Sequence, residues 1–270
     1  MKLAKIAFIC AAAASLTVAA EDVSSTIGIL RVEKSLTAMP LTVNFTDSNG
    51  NALTADKVVK TAGLPSSSAL YVYDKATSAY TKYTLNGTAW ERTNDGKKYV
   101  VGSDGQMTAS ESLPASDVTV ARGAAVFLET PSGSADLDFY LAGTPGSGTE
   151  TQITEGANLI GAPTAADFDL NSNTATWETI RASTFTSSGN KVKTKGDIIQ
   201  VTTGDNGSTI NYYYKGTPST NGGEGEQLGW VKAVTNGDTT TYTNVGCVIP
   251  AGKGFWYIRK SGAGSMTITW

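Results

Sequence analysis

Residues 118–141 read VTVARGAAVFLETPSGSADLDFYL, and residues 247–270 read CVIPAGKGFWYIRKSGAGSMTITW. Slid onto each other without a gap, they bring Val120 to Ile249, Gly123 to Gly252, Phe127 to Trp256, and Ser132-Gly133 to Ser261-Gly262. The alternating Leu137, Phe139 and Leu141 then fall on Met266, Ile268 and Trp270. Each copy predicts a Gly-containing turn, an aromatic-rich apolar strand, a Ser-Gly hairpin, and an amphipathic strand with a period of two. Self-similarity at this spacing marks an internal duplication, and the fold is read from it.

Working outward, Leu70-Tyr71-Val72-Tyr73 meets Ile199-Gln200-Val201-Thr202 and Tyr83-Thr84-Leu85-Asn86-Gly87 meets Tyr212-Tyr213-Tyr214-Lys215-Gly216, at the same shift. Trp90 aligns with Trp230 after an insertion ahead of the second Trp, which the first copy offsets by an insertion after its own. Closer to the start of each copy, Leu36, Pro40 and Phe45 align with Leu159, Pro163 and Phe168, and Thr54-Ala55-Asp56-Lys57-Val58 with Thr176-Trp177-Glu178-Thr179-Ile180. Both of the latter segments predict one short helix, with a Thr N-cap and an acid in the first turn; Gly63 is the expected stop of the first. Asn-Gly pairs at 49–50, 86–87, 206–207, 221–222 and 236–237 divide the rest into short strands. The expectation is an all-β chain of two tandem duplicated antiparallel β-sandwich or β-roll domains, each with one short helix. Their bounds are 21–143 and 150–270, with residues 144–149 as a linker of turn composition.

The 270 residues include 29 Gly, two Cys and no His. Without His, the commonest general base and metal ligand is missing, and Ser-His-Asp and Cys-His mechanisms are excluded. Residues 1–20 have the three parts of a secretory signal peptide: Lys2 and Lys5, an apolar run from Ile6 to Ala14, and small residues ending at Ala20. Their removal takes the net charge from −3 to −5 and leaves Cys247 as the single thiol, expected to be buried as a small apolar residue, with a disulfide between chains as the alternative. The apolar run is too short to span a bilayer, and Phe8 ahead of Cys10 spoils a lipoprotein site. No basic cluster suits nucleic acid.

The run Gly156-Ala157-Asn158-Leu159-Ile160-Gly161-Ala162-Pro163, then Tyr212-Tyr213-Tyr214, then Ile249-Pro250-Ala251-Gly252-Lys253-Gly254-Phe255-Trp256-Tyr257, carries a resemblance. It resembles an uncharacterised β-rich repeat module of secreted and surface proteins of Gram-negative bacteria, with the pattern G-x-N-L-x-G-x-P, Y-x-x-Y, I-P-x-G-x-G-F-W. The resemblance spans most of residues 150–270 and, more faintly, 27–142, where Arg122-Gly123-Ala124-Ala125 replaces the G-x-G turn. It implies an exported all-β module, located outside the cell or at its surface, with no catalytic residues to carry over.

For ligands, Tyr212, Tyr213 and Tyr214 cannot all face one side of a strand, so at least one ring is expected to be exposed. Trp230 borders a Gly-rich insertion at 221–229 and joins them as the candidate binding set, for sugars or a partner protein. Trp90 and Trp177, with either Trp256 or Phe255 and Tyr257, are assigned to two small cores. Asp167, Asp169, Asn171 and Asn173, with Glu178 twelfth, follow the spacing of a calcium loop. Ser172 stands where that loop needs Gly, and Phe168 is apolar, so no cofactor is assigned and a structural Ca2+ is kept as the lesser reading. The carboxylate pairs Asp136/Asp138, Glu224/Glu226 and Asp167/Asp169 have no counterpart in the other copy, and no enzyme is inferred. The reading is a secreted, non-enzymatic structural or adhesive protein, with self-association or a surface glycan or protein as partner. A carbohydrate-binding protein is the alternative. The alternating C-terminal strand ending in Trp270 keeps an outer-membrane barrel as a third.

Overall fold

Period-two alternation decides which face each strand buries. In residues 79–86, Ala79, Thr81, Tyr83 and Leu85 are buried while Tyr80, Lys82 and Thr84 are half-buried on the opposite face. The structure is a computed structural model that describes residues 28–34, 38–75, 79–91, 97–101, 107–112, 118–131, 137–145, 148–164, 166–172, 175–186, 191–203, 208–217 and 227–270. The expected signal peptide at 1–20, Cys10 and Asn173 lie outside these residues.

The first half contributes β1 (Gly28–Lys34), β2 (Ala38–Thr42), β3 (Phe45–Thr46), β4 (Leu53–Thr54), helix α1 (Ala55–Val58), β5 (Ala69–Asp74) and β6 (Ala79–Asn86). It continues with β7 (Ala89–Glu91), β8 (Lys97–Val101), β9 (Met107–Ser112), β10 (Thr119–Val120), β11 (Ala125–Glu129) and β12 (Leu137–Pro145). The second half opens with β13 (Glu150–Ile153), β14 (Gly156–Gly161), β15 (Phe168–Asp169), β16 (Thr176–Trp177), β17 (Thr184–Phe185) and β18 (Val192–Thr194). It ends with β19 (Ile198–Thr202), β20 (Thr209–Lys215), β21 (Gly229–Asn236), β22 (Thr239–Thr243), β23 (Val248–Ile249), β24 (Gly254–Arg259) and β25 (Met266–Thr269).

Each half has a large antiparallel sheet, in the order β2-β11-β5-β6-β8-β9 with β7 beside β6, and β14-β24-β19-β20-β21-β22. A smaller sheet accompanies each, β1-β12-β3 and β13-β25-β16. Among the described residues the sheets are open rather than closed into a barrel. Two separate apolar clusters fill the halves, one around Met39, Leu70, Tyr83, Trp90 and Leu128, the other around Ile153, Ile199, Trp230, Phe255 and Tyr257. In the second, Trp177 lies 5.8–6.0 Å from the rings of Trp230, Tyr257 and Trp270. Such aromatic pairs add about 0.5–1.5 kcal/mol each beyond the area they bury.

The pairing registers repeat between halves. Leu85 opposes Trp90 as Tyr214 opposes Trp230, and Ala69 opposes Glu129 as Ile198 opposes Ile258. Gly123 and Gly252 have φ of 85° and 72°, a left-handed turn that favours glycine.

Several expectations are corrected. At the start of each copy, Lys34 opposes Leu137 and Ile153 opposes Met266, so β1 and β2 correspond to β13 and β14 four residues out of register from the sequence alignment. Val120 pairs with Leu53 where Ile249 pairs with Phe168, so the counterpart of Phe168 is Leu53 and not Phe45. α1 forms after Thr54, but it stops at Val59, which is extended, well before Gly63. The second helix does not form. Thr176 and Trp177 pair with Thr269 and Ile268 because the Trp177 ring belongs to the second core, and Glu178 accepts the Thr267 N–H at 2.7 Å instead of capping a turn. Thr144 and Pro145, expected in the linker, extend β12.

The halves meet about a local two-fold relation. Thr42 N–H donates to Gly252 O at 2.8 Å and Gly161 N–H donates to Gly123 O at 3.0 Å, the same bond made in each direction. Single antiparallel bridges, Leu41 to Lys253 and Ala124 to Ile160, repeat the exchange. Corresponding positions face each other: Gly161 lies against Thr42, Gly254 against Ala125, and Trp256 against Phe127 at 6.3 Å. A Cβ on Gly254 would stand 2.6 Å from that of Ala125, closer than packed atoms come. Gly254→Ala is expected to cost about 1–3 kcal/mol by overpacking. In urea unfolding, Gly254→Ala with Ala125→Gly should be less destabilised than the sum of the two singles by more than about 0.5 kcal/mol. Additive losses would contradict the contact.

Candidate functional site

The Tyr triplet and Trp230 are not a surface site. Trp230 is 1% exposed and Tyr213 9%, while Tyr214 is half-buried with its ring 5.5 Å from that of Trp230. Tyr212 faces the second core and donates its hydroxyl to Val248 O at 3.1 Å; burial raises the pKa of that phenol. Alternation does send Tyr213 to the other side of the sheet. The β17–β18 hairpin covers it there, in a satellite cluster with Phe185 and Val231. Lys215, also on this side, is buried with its ammonium 4.7 Å from the centre of the Phe185 ring.

The acidic loop is likewise occupied by the protein itself. Asp167 Oδ1 accepts the Ala251 N–H, and Asp169 Oδ1 accepts the Asn171 N–H, both at 2.9 Å. The Asn171 amide N–H holds the Asp169 carboxyl below the usual carboxylate range. Asn171 Oδ1 accepts Trp230 N–H at 2.7 Å, and its Nδ2 donates to Trp230 O and Asn244 O. The Asn171 side chain thus ties the turn after β15 to β21, while Asp167 reaches the turn before β24 and Asp169 closes its own turn. Among the described residues, no group of three or more His, Cys, Asp or Glu is placed to hold a metal. Cys247 is fully buried, and burial pushes its thiol up to about 11.

Asp197 and Arg259 form a buried ion pair at 2.7 Å, 0% and 2% exposed. Asp197 Oδ2 also accepts from Tyr257 Oη at 2.8 Å and Arg181 N–H at 3.0 Å, and Oδ1 accepts Lys260 N–H at 2.9 Å. Arg259 donates further to Thr179, Ala263 and Gly264. A fully buried carboxylate that accepts from four donors fixes the chain segments around it. The corresponding residues of the first half are Ser68, Leu128 and Thr130, a neutral set.

The aromatic surface lies elsewhere, on the outer face of the first half's large sheet. Strands β5 and β6 bury Leu70, Val72, Thr81 and Tyr83, and so turn Tyr71, Tyr73, Tyr80 and Lys82 to the opposite side. Phe127 of β11 and Trp256 of β24 continue the row across the junction. Tyr73 lies 5.0 Å from Tyr80 and 5.4 Å from Trp256, and Phe127 lies 6.2 Å from Tyr80. All five aromatic rings are half-buried. Tyr71 donates its hydroxyl to Glu129 Oε2 at 2.6 Å, and the Lys82 ammonium sits 5.5 Å over the Tyr71 ring. Burial, with Tyr73 adding, pushes the Tyr80 phenol up to about 12, so it remains a hydrogen-bond donor at neutral pH.

Next to this row the junction leaves a cleft of about 240 Å3, lined by Tyr73, Lys75, Arg122, Glu150, Asn158 and Leu159. Lys75 Nζ donates to Asn158 Oδ1 at 2.5 Å and to Thr154 O at 3.0 Å. Arg122 reaches Asn44 O and Pro163 O at 2.9 Å each and also Thr149 Oγ1. Burial lowers the pKa of both Lys75 and Arg122. The arrangement offers ring faces, a mixed-charge wall and several donors, which suits binding.

The Asp197 clamp predicts a stability difference between the halves. Asp197→Ala leaves a buried guanidinium without its carboxylate and should cost about 3–5 kcal/mol in urea unfolding. Ser68→Ala, at the corresponding neutral place, should cost about 0.5–1.5 kcal/mol, the worth of its bond to Pro65 O. Equal small losses would contradict the clamp.

Compared with protein-family models, curated proteins and solved structures, the chain matches none of them.

Proposed function

We propose that this is an exported, non-enzymatic adhesive or structural protein that makes contact through the aromatic row of its first half and the adjoining junction cleft. The observation that carries this reading is the divergence between copies of one fold. Where the first half has Tyr71, Tyr73, Tyr80 and Lys82, the second has Gln200, Thr202, Thr209 and Asn211 in the same strand registers. Core positions keep their apolar character between the copies, so folding alone does not call for three tyrosines on an outer face. Rigid rings give large contact area at small entropic cost.

Export rests on the pattern of residues 1–20, and a bacterial surface or extracellular setting on the resemblance to the Gram-negative module. A glycan is the second reading for the ligand. It is favoured by the combination of ring faces with polar groups at their margins: the Tyr71 hydroxyl on Glu129, and Lys75 on Asn158. The wild-type protein should bind intact cells or one class of immobilised glycan. Tyr73→Ala and Tyr80→Ala should each weaken that binding at least about tenfold, as expected for central aromatic anchors, while the melting temperature stays within a few degrees. Binding that survives both substitutions would refute this surface. Polysaccharide turnover that one carboxylate substitution abolishes would refute the non-enzymatic role.

A further inference from the structure

A sheet edge presents unpaired N–H and C=O groups to any strand that can reach them, and proteins blunt such edges with charge, proline or covering segments. Most edges in this molecule are blunted. Pro40 removes a donor from β2, and the Thr42 N–H at its end is taken by Gly252 O. On β14 the Asn158 side chain covers Gly156 O and Thr154 O. Strand β18 carries exposed Lys193 between exposed Lys191 and Lys195. By sequence, β1 contains Arg31, Glu33 and Lys34, β9 contains Glu111, and β13 begins at Glu150.

Strand β22 is different. It reads Thr-Thr-Thr-Tyr-Thr, with no charge and no proline, and pairs with β21 from Asn236/Thr239 to Lys232/Thr243 without a bulge. It ends the six-stranded sheet, and among the described residues no strand lies beyond it. The Asn236-Gly237-Asp238-Thr239 hairpin has a two-residue loop, with Gly237 at φ 59°. Such a loop makes Asn236/Thr239 a mutually bonded pair, so bonded and non-bonded pairs alternate from there. Thr239, Thr241 and Thr243 therefore bond inward, and Thr240 and Tyr242 present both N–H and C=O outward. The next outward amide, Asn244 N–H, is already taken by Gln227 Oε1 at 2.6 Å. Among the described residues, the open edge is thus the three-residue stretch centred on Thr241, whose side chain is exposed.

We propose that this edge pairs with the same edge of a second copy of the chain. Antiparallel pairing about a two-fold axis through Thr241 sets Thr240 of one copy opposite Tyr242 of the other, and the reverse. Each of these bonded pairs exchanges two N–H···O bonds, and Thr241 faces its own equivalent in a non-bonded pair. An isologous contact of this kind closes at a dimer and leaves no edge to propagate. Threonine facing threonine is a favourable cross-strand pair. The β22-edged sheet of one copy then runs on into the same sheet of the other. The inference goes beyond the aromatic row, which lies on the first half and on β24, away from the β22 edge, and takes no part in it.

The test uses the full chain with Cys10→Ser, so that buried Cys247 is the only other thiol. Side chains of a non-bonded pair lie about 4.5–5.5 Å apart at Cβ, within reach of a disulfide after slight adjustment. Thr241→Cys should therefore give a covalent dimer as the main product of mild oxidation, whereas Thr235→Cys, exposed on the neighbouring strand, should not. Thr241→Lys sets two ammonium groups against each other on the axis and should weaken the dimer at least about tenfold in sedimentation velocity, with the melting temperature unchanged. Crosslinking of Thr241→Cys no faster than of Thr235→Cys, or a wild-type chain that sediments as a monomer at every soluble concentration, would overturn the proposal. Neither readout depends on ligand binding by Tyr73 or Tyr80.

Discussion

Two backbone hydrogen bonds, Thr42 N–H to Gly252 O and Gly161 N–H to Gly123 O, make the duplicated chain into one body. They form only because the two backbones approach closely, and the residues at the crossing reflect this. Gly161 and Gly254 in the second half face Thr42 and Ala125 in the first, with no room for a Cβ on either glycine. Two first halves would set Thr42 against Thr42 and Ala125 against Ala125 in the same small space. Crowding at the junction therefore excludes a pairing of two first halves, and the glycines of the second half make the room that Thr42 and Ala125 need.

Once the halves are locked, their differences acquire positions. The second half holds its sheet ends with the buried Asp197–Arg259 pair, which ties β24 to the segments around Thr179, Arg181 and Ala263. It also covers one outer face with the β17–β18 hairpin over Tyr213 and Lys215. In the first half the equivalent buried polar position is Thr130, whose hydroxyl is buried without a partner among the described residues, and the outer face carries the tyrosine row. One outer face of the second half is covered by its own hairpin, whereas among the described residues the rings of the tyrosine row are half-buried. Trp256 belongs to both halves in this sense, since it comes from the second and completes the aromatic row of the first.

Much of the fold was legible because periodicity and register act locally. The alternation in 137–141 and 266–270, the glycines at 123 and 252, and the matched Trp90 and Trp230 all report strand pairing that the structure repeats. The second short helix was not legible, since Thr-Trp-Glu at 176–178 has a helix-start pattern that tertiary packing overrides through the Trp177 ring. The start of each copy aligns by sequence four residues away from its pairing register, because the apolar matches Pro40 with Pro163 and Phe45 with Phe168 are not equivalent in pairing. The binding candidates failed for a related reason. Tyr212, Tyr213 and Tyr214 were read from a single strand, and neither the satellite cluster nor the hairpin above it has a local signal. The Tyr71, Tyr73 and Tyr80 row did have one: their alternation with Leu70, Val72, Thr81 and Tyr83 already separates two faces. What it lacked was the identity of the face left outside the core.

Native-state hydrogen exchange at the Thr42 and Gly161 amides addresses the central claim most directly. If the reciprocal bonds hold the halves together, both amides should exchange as slowly as neighbouring strand amides such as Leu70 and Ile199, and at similar rates to each other. Exchange of Thr42 and Gly161 at the pace of surface turns, with Leu70 and Ile199 still protected, would show two independent domains and contradict the account.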